Sequence, residues 1–426
     1  MHELFKPLYT SPSRYFLLTG GRASLKSSNV HEFIAKLTYQ AGHGILFTRY
    51  TMTSAEKSII PEFKNIVTRL GLAHHFHFTQ NMVRNKGNDS FILFSGIKTS
   101  SGDQTANLKS IAGITTWVIE EGEDFQDEKA FNAIDDSIRA QSHQNRVIWI
   151  QNPTTKEHFI YNRMIAPRSR RINVEGYNVT VSDMPGIEHI HSSYHIAREY
   201  LDQSWLEKTE AYRIKAEDDH ALWLASEGKE GLEKHRSHYY HNYIGGWLEK
   251  AEGVIFENWQ EGPFDDTLPH VYGLDFGYFP DPTAMVRIAV DEKRKLIYLE
   301  ELAYEHKLST EEIITLARQA ISQPRALIVA DSAEKRTIAD MARARLNVIP
   351  AVKGPDSVRA GLVKMQDYEI VVHHGGHNLK KELNNYVWND KKSTTPVDDY
   401  NHLIDAARYA FMRLAGQKSG GVRRRN

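Results

Sequence analysis

The sequence predicts an α/β protein of two successive domains, the first built on a parallel sheet and the second on a strand meander. Three observations predict it. At 426 residues the chain exceeds the roughly 250–300 residues at which a single core stops growing. The first part alternates apolar strands with amphipathic helices, which implies a parallel sheet with crossovers. From residue 271 onward three consecutive strands are followed by helix, strand and helix.

Composition narrows the class. Hydrophobic residues make up 41% and charged residues 25%, ordinary for a folded soluble chain. No apolar run approaches the roughly 20 residues of a membrane span, and the start, Met1 to Lys6, lacks the layout of a secretory signal. Zero cysteines exclude disulfides, zinc ribbons and thiol nucleophiles, and fit a reducing cytoplasm. Lys plus Arg is 53 and Asp plus Glu is 54, a net charge of -1, so the chain is no passive nucleic-acid coat; local patches that grip DNA stay open.

The first strand, 15–19, runs into Gly20-Gly21-Arg22-Ala23-Ser24-Leu25-Lys26-Ser27-Ser28. A strand, a Gly-rich turn and Lys-Ser opening a helix form the setting of a phosphate-binding loop. Backbone N–H groups hold phosphates, Lys26 reaches the β- and γ-phosphates, and the Ser27 hydroxyl holds Mg²⁺. The stretch departs from G-x-x-x-x-G-K-[ST] at Leu25, which stands where a glycine belongs. Apolar spacing predicts a helix over 27–41, a strand over 44–48, one amphipathic helix over 55–70 stopped by Gly71, and a strand over 91–94.

The strand over 115–119 ends in Glu120-Glu121. Opposite a phosphate loop, the first acid suits the Mg²⁺ shell and the second suits orienting or deprotonating the attacking water. Without the loop, the run from Glu120 to Asp124 reads as a solvated acidic turn. The strand over 146–151 ends in Asn152-Pro153, so Asn152 is a candidate γ-phosphate sensor, with a simple Asn-Pro turn as the alternative. Arg22 is a candidate for stabilising charge on the transferring phosphoryl group, or a surface residue. Lys109 is a weaker candidate for a residue offered to a neighbouring subunit.

From 172 the pattern loosens, with short alternation over 173–182 and two helices read over 195–233. His235, His238 and His241 are three apart, but no acid stands in an HExxH frame, so a polar helix face closed by Gly245-Gly246 is preferred to a metal site. His74, His75 and His77, and His373, His374 and His377, are read likewise. The domain boundary is placed near 245–253.

In the second half, strands are expected over 271–277, 285–290 and 296–302, then a helix over 309–322 with Ser309 and Glu312 at capping-box spacing, and a strand over 326–330. Asp275 lies within the first of these strands and Asp331 ends the last. Asp405 lies near the packed face of a helix over 401–410. A buried carboxylate needs a partner or a metal. Meander, helix, strand, helix is the order of a ribonuclease-H-like fold, in which such acids hold two Mg²⁺ or Mn²⁺ ions for phosphodiester cleavage. Asp398, Asp399 or His402 can complete the shell. Residues 386–396, with Trp388, Lys391 and Lys392, read as a hairpin touching DNA or as a solvated loop. The end, with Arg423-Arg424-Arg425, reads as a basic flexible tail.

Together, Gly20-Gly21-Arg22 through Lys26-Ser27, Glu120-Glu121, Leu274-Asp275-Phe276-Gly277-Tyr278, Ala330-Asp331-Ser332, Lys353-Gly354-Pro355-Asp356-Ser357-Val358, and Asn401-His402 through Asp405-Ala406 with Arg408-Tyr409-Ala410 resemble the large terminase subunit of tailed bacteriophages, in the pattern of SPP1-like and PBSX-like terminases. The resemblance spans nearly the whole chain in order. It implies a RecA-like P-loop ATPase over 1–171, a helical linker or lid over 172–250, a ribonuclease-H-like endonuclease over 251–415 and a tail over 416–426. It implies ATP with Mg²⁺ in the first domain and two Mg²⁺ or Mn²⁺ ions in the second. It also implies double-stranded viral DNA, a small terminase subunit and the procapsid portal as partners, a homo-oligomeric, pentameric ring at the portal, no membrane, and a host-cytoplasmic location. Two departures stand out: Leu25 for a loop glycine, and Glu120 for the usual Asp. A repair helicase–nuclease and a non-enzymatic ATP-binding scaffold are the competing readings; strand separation without packaging favours the first, and indifference to Lys26→Ala and Glu121→Ala the second.

Overall fold

The computed structural model describes residues 2–99, 102–103, 113–141, 143–226, 233–279, 281–321, 323, 325–354, 356–389, 392–397 and 400–416. Lys109, Lys391, Asp398, Asp399 and the tail from 417 lie outside the described residues. The chain divides into two compact units, Met1–Glu249 and Lys250–Asn426.

The first unit is built on a nine-stranded sheet. Its strands are β1 (Tyr15–Gly20), β2 (Gly44–Thr51), β3 (Phe76–Phe78), β4 (Met82–Asn85), β5 (Phe91–Thr99), β6 (Gly102–Asp103), β7 (Ile114–Ile119), β8 (Arg146–Gln151) and, from beyond a separate ribbon, β11 (Ile187–Ser192). The order is β11-β1-β8-β7-β2-β5-β4-β3, with β6 paired to β5. From β11 to β5 every neighbour is parallel. Strands buried on both faces need continuous apolar runs, and β1, β7 and β8 supply them. Parallel order brings the C-terminal ends of β1, β7 and β8 to one edge, and ligand sites in open α/β sheets gather there.

Two expectations fail here. The single helix over 55–70 is two, Met52–Lys57 and Ile59–Arg69, broken at Ser58. Pro61 explains the break: its ring clashes with the carbonyl four residues back, at Lys57, and proline is tolerated only in a helix's first turn. The expected pair of helices over 195–233 is a 3₁₀ turn, Tyr194–Tyr200, and one long helix, Gln203–Ala225, capped by Asp202. A further helix, Glu233–Tyr239, widens into a π turn over Tyr240–Ile244, which Gly245 ends at φ 82°. With the ribbon β9 (Ser169–Val174) and β10 (Tyr177–Ser182), these helices enclose their own small core around Val179, Tyr194, Tyr239 and Ile244.

The second unit carries a seven-stranded mixed sheet. Its strands are β12 (Trp259–Glu261), β13 (His270–Asp275), β14 (Thr283–Asp291), β15 (Leu296–Glu305), β16 (Leu327–Ala330), β17 (Asn347–Pro350) and β18 (Glu369–Val372), in the order β12-β18-β15-β14-β13-β16-β17. The antiparallel meander β13-β14-β15 is as expected, and β16 then pairs parallel to β13. Ser309 caps the helix Thr310–Ala320 in a full capping box with Glu312. A hairpin of β19 (Trp388–Asn389) and β20 (Lys392–Pro396) precedes the last helix, His402–Gly416. That helix lies directly on β13: a Cβ at Gly273 would sit 1.9 Å from the Ala406 carbonyl oxygen, so only glycine permits the approach.

Two candidate active sites

The first cleft, about 400 Å³, opens at the C-terminal ends of β1, β7 and β8 and is lined by residues 21–28, Glu120, Glu121, Glu123 and Asn152. The helix behind the loop begins at Lys26. The loop takes left-handed turns at Ala23, φ 58°, and at Leu25, φ 63°. A left-handed residue is where glycine is favoured, at a cost of roughly 1–2 kcal/mol for others, which accounts for the glycine usual at position 25. The Leu25 side chain packs against the apolar cluster around Phe5, Leu8 and Val30, which offsets that cost.

Lys26 is buried, and its ammonium donates to the carbonyls of Gly20 and Gly21, both at 2.9 Å, to Ser24 Oγ at 2.9 Å and to Asn152 Oδ1 at 3.0 Å. Burial lowers its pKa to about 8 against the opposing fields of Glu123 and Glu120. Ser24 Oγ donates to the Gly21 carbonyl at 2.8 Å, closing the turn. Ser27 and Ser28 open the helix on the cleft wall, and Arg22 is exposed at the rim, its backbone N–H bonded to Asn242 O at 2.8 Å.

Glu120 follows β7 directly and is 6% exposed. Its backbone N–H bonds Thr48 O, but its Oε2 is buried with no partner. A buried carboxylate oxygen left without a donor is costly, and a cation shared with the Ser27 hydroxyl fits that vacancy in its bonding. His31, one turn beyond Ser27, and Glu62 stand beside Glu120, their ligand atoms within 4.8 Å of one another. His31 Nδ1 bonds Ser27 O at 2.9 Å, so that nitrogen carries the proton.

Glu121 lines the cleft at φ 50°, with its carboxylate ion-paired to Arg49. The acid that reaches the loop lysine's partner is one the sequence reading passed over. Glu123 accepts from Asn152 Nδ2 at 3.1 Å and from its backbone N at 3.3 Å. Asn152 therefore bridges Lys26 and Glu123. Burial pushes the Glu123 carboxyl up to about 7. The acidic turn after β7 hid it, and no local pattern in the sequence distinguished Glu123 from its acidic neighbours.

The second site lies where β13 and β16 end side by side. Asp275 closes β13, and Asp331 N bonds Leu274 O at 2.9 Å across the pair. Asp405, in the first turn of the helix lying on Gly273, completes the set. Each carboxylate has a basic side-chain partner. Asp275 Oδ2 pairs with His402 Nδ1 at 3.2 Å, Asp331 with Lys353, and Asp405 Oδ1 with Arg408 Nη2 at 2.9 Å. Tyr409 sits among them, its hydroxyl 3.5 Å from Asp275 Oδ1 and its ring under both Lys353 and Arg408. Burial raises the pKa of Asp275 and Asp405, with the neighbouring acids adding to it at Asp275. Glu382, 1% exposed, accepts from the N–H groups of Leu403 at 3.1 Å and Ile404 at 2.9 Å, and so pins the helix start that carries His402 and Asp405. Three neighbouring carboxylates, each with a basic side-chain partner, are a donor set suited to hard divalent ions.

The histidine runs set aside earlier form no grouping of three potential metal ligands among the described residues. No described helix is long and apolar enough to cross a membrane.

Residues 13–229 match the family described as phage terminase large subunit, and residues 275–413 match the terminase RNAseH-like domain. The chain is 27% identical to the terminase large subunit of Bacillus phage SPP1, over 99% of this chain and 96% of that one. It is 22% identical to the PBSX phage terminase large subunit of Bacillus subtilis strain 168, over 93% and 90%. The solved nuclease domain of the SPP1 large terminase, with bound Mn, is 34% identical over 38% of this chain and 98% of that one, with a TM-score of 0.34.

Proposed function

Since the chain belongs to the phage terminase large-subunit family, we propose that it hydrolyses ATP in its first cleft to drive double-stranded viral DNA into a procapsid, and cuts concatemeric DNA in its second. The observation that carries this reading is the pairing in one chain of a buried loop lysine beside an unpartnered strand-end carboxylate with a triad of strand-end and helix aspartates.

In the first cleft the N–H groups of Gly21 to Ser28 cradle phosphates at a helix start. Lys26 leaves its loop carbonyls for the phosphate oxygens. Ser27 and Glu120 hold Mg²⁺, which supplies neutralisation of the developing charge. Glu121 orients the attacking water once freed from Arg49, and Arg22 faces the transferring group from the rim. Asn152, aimed by Glu123, reads whether a γ-phosphate is present. In the second cleft Asp275, Asp331 and Asp405, with His402, hold Mg²⁺ or Mn²⁺, which supplies an activated water and a charge sink for the leaving oxygen. The working assembly is a pentameric ring at the procapsid portal in the host cytoplasm, with the small terminase subunit delivering DNA.

A packaging assay with purified procapsids tests this. The chain is expected to protect DNA from added nuclease only with ATP present. ATP-driven strand separation without protection would sink the reading.

A further inference from the structure

The three basic side chains of the second cleft are not equivalent. Arg408 is 4% exposed and grips Asp405 with both Nε, at 3.1 Å, and Nη2, at 2.9 Å, from one turn along the same helix. Its stem is packed tight: a Cβ at Gly361 would lie 2.8 Å from Arg408 Cγ and Cδ. His402 is held between Asp275 at 3.2 Å and Asp281 at 3.8 Å. Lys353 differs on each count. It stands on the lip beyond β17, two residues past Ala351, whose N–H closes on Ala330 O at 2.7 Å, and next to Val352, which is 96% exposed. Its side chain is 40% exposed while its Asp331 partner is 15% exposed. Its ammonium lies 5.2 Å from the Tyr409 ring centre, and its field reaches Asp405 as well as Asp331. A lysine is a point charge on a flexible stem, able to change partners where a packed guanidinium fork is not.

Resting on the nuclease reading, we propose that Lys353 is a further catalytic residue of this cleft. It holds Asp331 while no divalent ion is bound, yields that carboxylate to the ion, and turns its ammonium onto a non-bridging oxygen of the scissile phosphate. No bond to lysine forms or breaks. The water oxygen forms the new P–O bond, one P–O ester bond breaks, and the water proton ends on the leaving oxygen. Lys353 donates hydrogen bonds to the phosphate as its negative charge grows. The exchange keeps the cleft near charge balance in both states: a cation leaves Asp331 only as another arrives.

The test uses the full-length chain as wild type, Lys353→Met, Lys353→Arg and Asp331→Asn. Two quantities are read, Mn²⁺ binding by the electron paramagnetic resonance of free Mn²⁺, and plasmid cleavage at saturating Mn²⁺. Lys353→Met is expected to bind Mn²⁺ about two- to fivefold tighter, the scale on which a half-exposed ion pair competes. Its cleavage at saturating Mn²⁺ is expected to fall about 10–100-fold, as for loss of one donor to developing charge, with Lys353→Arg between it and wild type. Opposite movements of affinity and rate are what a merely structural lysine would not produce. Unchanged or weaker Mn²⁺ binding by Lys353→Met overturns the proposal, and so does a cleavage rate within about twofold of wild type. A wild-type chain that binds no Mn²⁺, or an Asp331→Asn chain that binds and cuts like wild type, sinks the nuclease reading instead and the lysine's role with it.

Discussion

The two clefts hold their charges in opposite ways. In the first, although Glu121 is paired with Arg49, the loop lysine and the strand-end acid are kept apart: Lys26 is satisfied by carbonyl oxygens and Asn152, while Glu120 keeps an oxygen with no partner. In the second, Asp331 and Asp405 are already paired with Lys353 and Arg408, and Asp275 with the His402 imidazole. The first cleft is therefore prepared for a ligand that brings both signs, an anion for the loop and a metal ion for Glu120. The second takes cations, and an ion that reaches Asp331 must displace Lys353. The difference predicts that the first site binds its ligand as a unit, and the second fills by exchange.

The largest test of that contrast is a double dissociation. Lys26→Ala is expected to reduce ATP hydrolysis by about 10³-fold or more, measured as phosphate release, while Mn²⁺-dependent plasmid cleavage persists. Asp275→Asn is expected to do the reverse. If either variant loses both activities while still melting as a folded chain, the clefts are not independent. A smaller effect is expected at Glu123. Glu123→Ala frees Asn152 from one of its two anchors, and should blunt the preference for ATP over ADP by about 10-fold, read with fluorescent nucleotides. An unchanged preference would remove Glu123 from the site.

A further expected effect concerns acid. Burial lowers the pKa of His191 to about 4, and of His189 well below its ordinary value. Both ring nitrogens facing Thr19, at the root of the phosphate loop, lie within 2.8 Å of its hydroxyl. In the unfolded chain these imidazoles take up protons near pH 6.5; in the folded chain His191 does so only near 4. Stability contributed by keeping His191 neutral is thus full above about pH 6.5 and declines as pH falls toward 4, by about 3 kcal/mol in all. Denaturant titrations across that window should show the decline, and His191→Asn should flatten it. In the second unit Glu382 works in the opposite sense. Its carboxyl is raised to about 7, so its burial costs stability as pH rises from about 4.5 to 7. A single pH trend for both units would contradict this contrast.

Features that repeat along the chain were legible in it. The loop after β1, the acids at the ends of β7 and β16, Asp275 closing β13, the meander and the Ser309 cap all announce themselves by local order. What could not be read depends on which strands become neighbours. Asn152 meets Lys26 because β8 lies beside β1, with 126 residues between them in sequence. Lys353 meets Asp331 because β17 pairs with β16. The strand β11 joined the sheet unannounced, its alternation broken by His189 and the buried His191, which the periodicity counts as polar. Pro61 was legible and was passed over: the apolar stripe from Ile59 to Leu70 outweighed a residue whose ring forbids the turn before it.

The glycines of the phosphate loop carry one more consequence. Gly20 and Gly21 are bare not only for a nucleotide's sake: a Cβ at Gly21 would lie 2.2 Å from the Tyr243 carbonyl oxygen, one at Gly245 would lie 2.3 Å from Gly20 C and Gly21 N, and Arg22 N bonds Asn242 O. The turn that ends the helical segment after residue 233 thus rests backbone to backbone on the loop, with no side chain as cushion. Such a joint has no slack. A substitution with a side chain at Gly21 or Gly245 must therefore displace the helical segment or the loop.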